Sequence, residues 1–74
     1  MDKKIISIKS DFITLGQFLK FADIINNGGE AKTFLENNKI LVNDEEENRR
    51  GRKLRNNDKV IVNEVCFLIC SLKK

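Results

Sequence analysis

Apolar residues recur along this chain in two rhythms. In "KIISIK", residues 4–9, Ile6 and Ile8 alternate with other positions at the period of a strand with one inward face. After "SDFIT" the rhythm changes. Leu15, Phe18, Leu19, Ala22 and Ile25 fall at i, i+3, i+4, i+7 and one later position, a single helical face. Phe21 and Ile24 widen it, which predicts contact with more than one neighbour. Thr14 and Gln17 have the spacing of a capping box, in which the Thr14 hydroxyl takes an amide and Gln17 reaches back. "NNGG", Asn26 to Gly29, is the expected helix end, because Asn and Gly tolerate the left-handed backbone of a C-cap.

A second helix is expected over about residues 29–36, with Ala31, Phe34 and Leu35 as its apolar stripe and "NNK" as its end. The short connection predicts two adjacent helices in a helix–turn–helix-like pair. "KILVN" (39–43) reads as a strand. "KVIVNEVCFLIC" (59–70) reads as one long strand, or as two joined by a bend near Asn63 and Glu64. Val65, Phe67 and Ile69 alternate there with Cys66, Leu68 and Cys70, so both faces are apolar. One face is expected on the helices, and pairing with the N-terminal strand is one way to cover the other. The elements predict an α+β fold with two short helices on a small, mostly antiparallel sheet.

Between the strands lies "DEEENRRGRKLRNND", residues 44–58. Fifteen residues is long for a connection in a small domain, and such loops are usually functional or disordered. Leu54 is expected to plug into the core, and Gly51 to allow a turn with positive φ.

Composition narrows the function. Seventy-four residues make one domain (1–74) with a thin core. The chain is 41% hydrophobic and 34% charged, as a folded soluble domain is. It has no His, the commonest general base and metal ligand, and offers neither a nucleophile with a base nor room for a substrate pocket. The expectation is therefore no enzyme, no cofactor, no metal and no small-molecule substrate. Cys66 and Cys70, if both lie on one strand, face the same way about 13 Å apart, too far for a disulfide, and read as buried thiols of a reducing compartment. No apolar run has the length of a signal peptide or a membrane span, so a cytoplasmic protein without membrane contact is expected.

The net charge is only +3, so its placement matters more than its sum. Every arginine of the chain lies in one stretch: Arg49, Arg50, Arg52 and Arg55, with Lys53 among them. The other basic residues are lysines. A guanidinium grips phosphate with a planar fork, whereas lysine offers a hydrated point charge. A loop built only for solubility has no reason to exclude lysine. The bland alternative is a solvated loop neutralised by "DEEE", Asp44 to Glu47, although that run is expected at the solvent tip of a turn after Asn43. "GGEAK" adds Lys32 and the amides near Gly28 and Gly29, a helix start where anions are favoured. Lys20 carries a weaker signal. Asn43 is expected to hold the base of the loop or to reach a sugar. No aromatic is interleaved with the basic residues in the sequence, which favours recognition of nucleic acid by shape and backbone over base stacking.

Helix pair, a strand ending in "VN", a basic loop and a strand after "ND" occur in an order that resembles the S4 RNA-binding domain with its αL motif, over about residues 13–62. Ala31–Lys32 matches that family's Ala-Arg or Ala-Lys pair. Val42–Asn43–Asp44 matches its Val-Asn-Gly turn, and Asn57–Asp58 its Gly-Asp. "ITLGQFLK", "GGEAK" and "RRGRKL" together resemble its small stand-alone bacterial YaaA/YbcJ-type members. The resemblance implies an RNA-binding module whose helix pair and basic loop form one surface, directed at ribosomal or other structured RNA, with the ribosome or a ribosomal protein as a further contact. Gly28–Gly29 stands where many members carry Ser-Arg, which shifts weight to the loop. The rival expectation is a protein-interaction module docking through the adjoining acidic and basic runs.

Overall fold

The computed structural model describes residues 2–72. Strands β1 (Asp2–Ile8) and β2 (Phe12–Thr14) precede helix α1 (Leu15–Phe21). A 3-10 turn (Gly28–Glu30) leads into α2 (Ala31–Asn37). Strands β3 (Ile40–Val42), β4 (Glu45–Glu46), β5 (Lys53–Arg55), β6 (Lys59–Val62) and β7 (Val65–Ser71) follow. Five strands form one sheet in the order β1-β7-β6-β3-β4, parallel only between β1 and β7. A separate antiparallel ribbon joins β2 to β5.

The core lies between the helix pair and one sheet face. The alternation of β6 turns Val60 and Val62 inward, opposite Phe67, Ile40 and Val42 on the flanking strands. Leu15, Phe18 and Leu19 of α1 meet them, and the Phe18 ring stands edge-on to Phe67 at 5.1 Å between centroids. Loss of such a ring costs about 3–5 kcal/mol. Leu54 is fully buried, as expected of a plug.

The stretch 59–70 is a hairpin, not a continuous strand. Asn63 and Glu64 have φ of 49° and 68°, the left-handed pair of a two-residue turn that matches the twist of β6 and β7. Asn43 and Asp44 (φ 52° and 70°) make the same turn between β3 and β4. Pairing with β1 extends β7 sideways and leaves its outer face uncovered: Ile5 and Leu68, opposite one another, remain 69% and 40% exposed.

The first helix ends sooner than its apolar spacing predicts. Asp23 takes the left-handed conformation (φ 59°), its amide donating to the Lys20 carbonyl while the Ile24 amide donates to that of Leu19. Those paired bonds are a Schellman ending, with Asp where Gly is usual. Ile25 still reaches the core from beyond the helix, whereas Phe21 is left 57% exposed. No described glycine has a positive φ, so neither "NNGG" nor Gly51 serves the purpose expected of it.

Candidate nucleic-acid interface

The arginine segment is strapped across the start of α1. The Leu15 amide donates to the Arg52 carbonyl (2.8 Å) and the Gly16 amide to that of Arg50 (2.9 Å). First-turn amides have no partner within their own helix, and here the loop supplies it. The capping box satisfies the neighbouring amides: Gln17 N–H donates to Thr14 Oγ1, and Thr14 N–H to Gln17 Oε1. Gly16 allows the crossing. A Cβ there would lie 3.4 Å from both the Cβ and the carbonyl oxygen of Arg50, and 3.5 Å from the Cβ of Ala31.

The acidic run divides by role: three of its residues keep the expected place at the solvent tip of a turn, and Glu47 departs from it. Asp44 lies in the β3–β4 turn and pairs with Lys59, and Glu45 and Glu46 are exposed on β4. Glu47 turns inward and is only 9% exposed. Its Oε2 accepts the Asn48 and Arg49 amides and Arg49 Nε (3.0 Å), and its Oε1 accepts Arg49 Nη2 and Arg52 Nη1, both at 3.0 Å. The Arg49 side-chain bonds above all, with help from its amide and Arg52, outweigh burial and hold the Glu47 carboxyl at about 2, well below the ordinary 4.5. This cluster sets the shape of the loop. Arg49 keeps a largely exposed side chain, and Arg52 is about two-thirds covered.

The remaining loop cations point elsewhere. Arg50 and Gly51 form one wall of a cleft of about 450 Å3 whose other walls include Gly16 and Lys20 of α1, Gly28, and Ala31 at the start of α2. No carboxylate lines it. Lys53 and Arg55 stand with Phe12 and Thr14 on the outer face of the β2–β5 ribbon, because Ile13 and Leu54 occupy its inner face. Lys53 Nζ lies 4.9 Å, and Arg55 Cζ 5.6 Å, from the centre of the Phe12 ring. Among the described residues, no ion pair engages the side chains of Arg50, Lys53 or Arg55.

The other predicted site residues fall at different distances from this cleft. Gly28 lines it, whereas Gly29 lines a separate depression with Glu30. The Glu30 carboxylate accepts from the Asn26 amide and the Asn27 side chain, placing negative charge beside the start of α2. Lys32 is exposed on α2, next to Ala31 of the cleft wall. Asn43 holds the base of the loop: its Oδ1 accepts from the Lys59 amide and its Nδ2 donates to Asp58 Oδ1. Asp58 Oδ2 in turn accepts the Arg55 amide at 2.7 Å, in a turn whose third residue, Asn57, has φ 73°.

Two residues with little signal in the sequence gain one in three dimensions. Lys20 lies one helical turn from Gly16, a spacing that could have singled it out, and it lines the cleft. Phe12 lies far from the arginines along the chain, and only the β2–β5 register brings it opposite Arg55 and against Lys53. An aromatic is therefore interleaved with the basic residues in space, although not in sequence. Among the described residues no group of His, Cys, Asp or Glu is placed to hold a metal ion, and no helix is long and apolar enough to cross a membrane.

The family model of the S4 domain matches residues 6–70, which takes in the strap, the cleft and most of the sheet. The chain belongs to the S4 domain family. It is 65% identical over 49 residues, 66% of this chain and 69% of the relative, to the "Probable ribosome maturation protein RlbA" of Bacillus subtilis (strain 168). No solved structure gives a significant match. As an S4 domain, the chain combines the two helices and mostly antiparallel mixed sheet expected from its sequence.

Proposed function

We propose that this S4 domain binds structured RNA, ribosomal RNA first, by its phosphates, and that it acts in ribosome maturation without catalysing a reaction. The observation that carries this reading is the Arg50 cleft, where the arginine loop and both helices converge on a surface without carboxylates. The ribosomal context rests on the similarity to the ribosome maturation protein. Arg50 acts as the bidentate phosphate ligand, held in place by its own carbonyl on Gly16. Lys20, Lys53 and Arg55 extend the cationic track to either side, with Lys32 and the backbone at Gly28 as secondary contacts. Arg49 and Arg52 share their charge with Glu47 and contribute less per residue. Asn43 sets the loop base. Gly29 stands outside the cleft, and α2 is only seven residues long, so the helix start is a minor contributor. Docking of a protein through the adjoining acidic and basic runs is the less supported reading, because Glu47 is buried and Asp44 is paired, which leaves Glu45 and Glu46 as the exposed part of the acidic run.

The test is a salt titration of binding to ribosomal RNA and to duplex DNA of similar length. Four or five phosphate contacts predict a fall of log affinity with log salt of slope roughly −3 to −4, with RNA preferred. Replacement of Arg50 by Ala should reduce that slope by about one and weaken binding across sequences alike. Absent or salt-independent binding to both nucleic acids would overturn the reading.

A further inference from the structure

A second depression, of about 650 Å3, lies on the other side of the ridge formed by Gln17 and Lys20, which line both it and the Arg50 cleft. Its walls are Ile8, Ile13 and the rings of Phe12 and Phe21, and Lys9 and Lys20 stand among them. None of the residues lining it is acidic. Phe21 is over half exposed here, although its place in the helical spacing predicts burial. Lys53 and Arg55 lie over the half-buried Phe12 ring, so a base stacking there shares the ring with two cations.

We propose that this groove receives one unpaired nucleobase of the RNA whose backbone lies in the Arg50 cleft, with Phe12 as the stacking platform. The inference rests on the RNA-binding reading above and adds a preference to it. A nucleotide combines a flat apolar face with an anionic backbone, the two properties that an aromatic wall with a lysine rim complements. A duplex keeps its bases stacked inside and cannot use the groove, so the preferred RNA carries a loop or bulge next to a helix. A second copy of this chain fits poorly, because its lysine rim would face the same lysines.

Two RNAs test this: a short blunt duplex, and the same duplex with a single-nucleotide bulge. Wild type should bind the bulged RNA about tenfold more tightly, the scale of one base stacked on an aromatic ring. Phe12→Leu retains an apolar side chain on the ribbon and should bring the two RNAs to parity with little change in melting temperature. The chain has no Trp or Tyr, so Phe12→Trp places a lone indole on the platform. Its emission should be quenched by the bulged RNA and not by the blunt one. Equal affinities in wild type, or a bulge preference that survives Phe12→Leu with the indole unquenched, would overturn the proposal. Self-association abolished by Phe21→Ser would also overturn it, by giving the groove to a second copy. If Arg50→Ala weakens both RNAs while Phe12→Leu affects neither, the base site alone fails. If Arg50→Ala changes nothing, the RNA-binding reading fails with it.

Discussion

Arg49 and Arg52 sit within a few residues of Arg50, Lys53 and Arg55, yet the two sets belong to different chemical environments. The first pair closes on a buried carboxylate. The second set faces outward with no ion pair among the described residues. A run of like residues is thus divided into a part that builds the loop and a part that the loop displays. Two guanidiniums on Glu47 give the strap a fixed conformation without a large apolar core. That conformation places the Arg50 carbonyl on the Gly16 amide and so aims Arg50 into the cleft.

The strongest way to break this contrast is to remove each set separately. Arg50→Ala, Lys53→Ala and Arg55→Ala together should lower RNA affinity about 100-fold at roughly 0.1 M salt and leave the melting temperature nearly unchanged. The pair Arg49→Ala and Arg52→Ala should do the reverse, lowering the melting temperature by several degrees, because Glu47 is left buried without its partners. If both sets reduced binding equally at unchanged stability, the division would be wrong.

A smaller effect is expected at the crossing. Gly16→Val puts two methyl groups where even a Cβ already touches Arg50 and Ala31. The strap should lift, and RNA affinity should fall about tenfold, as for the loss of one or two phosphate contacts. Hydrogen exchange at the Leu15 and Gly16 amides would report the lifting directly. Unchanged protection would show that the crossing tolerates the bulk.

Glu47→Gln tests the division from the other side, because its two effects have opposite signs. Binding should strengthen a few-fold as the carboxylate that competes with phosphate for Arg49 and Arg52 is removed, while thermal stability falls. The pH dependence follows from the depressed carboxyl. Its contribution to stability is fully present above about pH 4.5 and is lost as pH falls through about 2. The stability gap between wild type and Glu47→Gln should therefore close over that window, as acid denaturation curves would show. A gap independent of pH would remove the ion cluster from the explanation. The smallest effect is expected of Gly51→Ala: φ is not positive there and open space surrounds the position, so stability should change by no more than about 0.5 kcal/mol. A large loss would mean that the glycine, and not Glu47, shapes the loop.

Much of the scaffold was legible from local pattern. The capping box at Thr14 and Gln17, the stripe Ala31–Leu35, the plug at Leu54 and the inward face of β6 follow from spacing that neighbouring residues alone dictate. The turns at Asn43–Asp44 and at Asn57 were indicated by the family resemblance, and Asn and Asp accept left-handed backbone there at small cost. The end of α1 was not legible. An aspartate that can close a helix competes with an apolar period that continues past it, and nothing local says which will prevail. For the stretch 59–70, local pattern left two readings open, and the second, two strands joined at Asn63 and Glu64, is the one the structure adopts.

Periodicity and composition are enough to show a small α+β domain with its arginine gathered in one segment, whereas the same reading took 44–58 for a connection and missed β4 and β5 within it. Both signals act between near neighbours. Contacts across the whole fold settle which arginines pair with Glu47, that Lys20 shares a cleft with Arg50, and that Phe12 lies against both Lys53 and Arg55. Each of those depends on strand register and on which of several carboxylates turns inward. That choice is set by the competition for burial across the whole fold, and no local stretch of chain contains it.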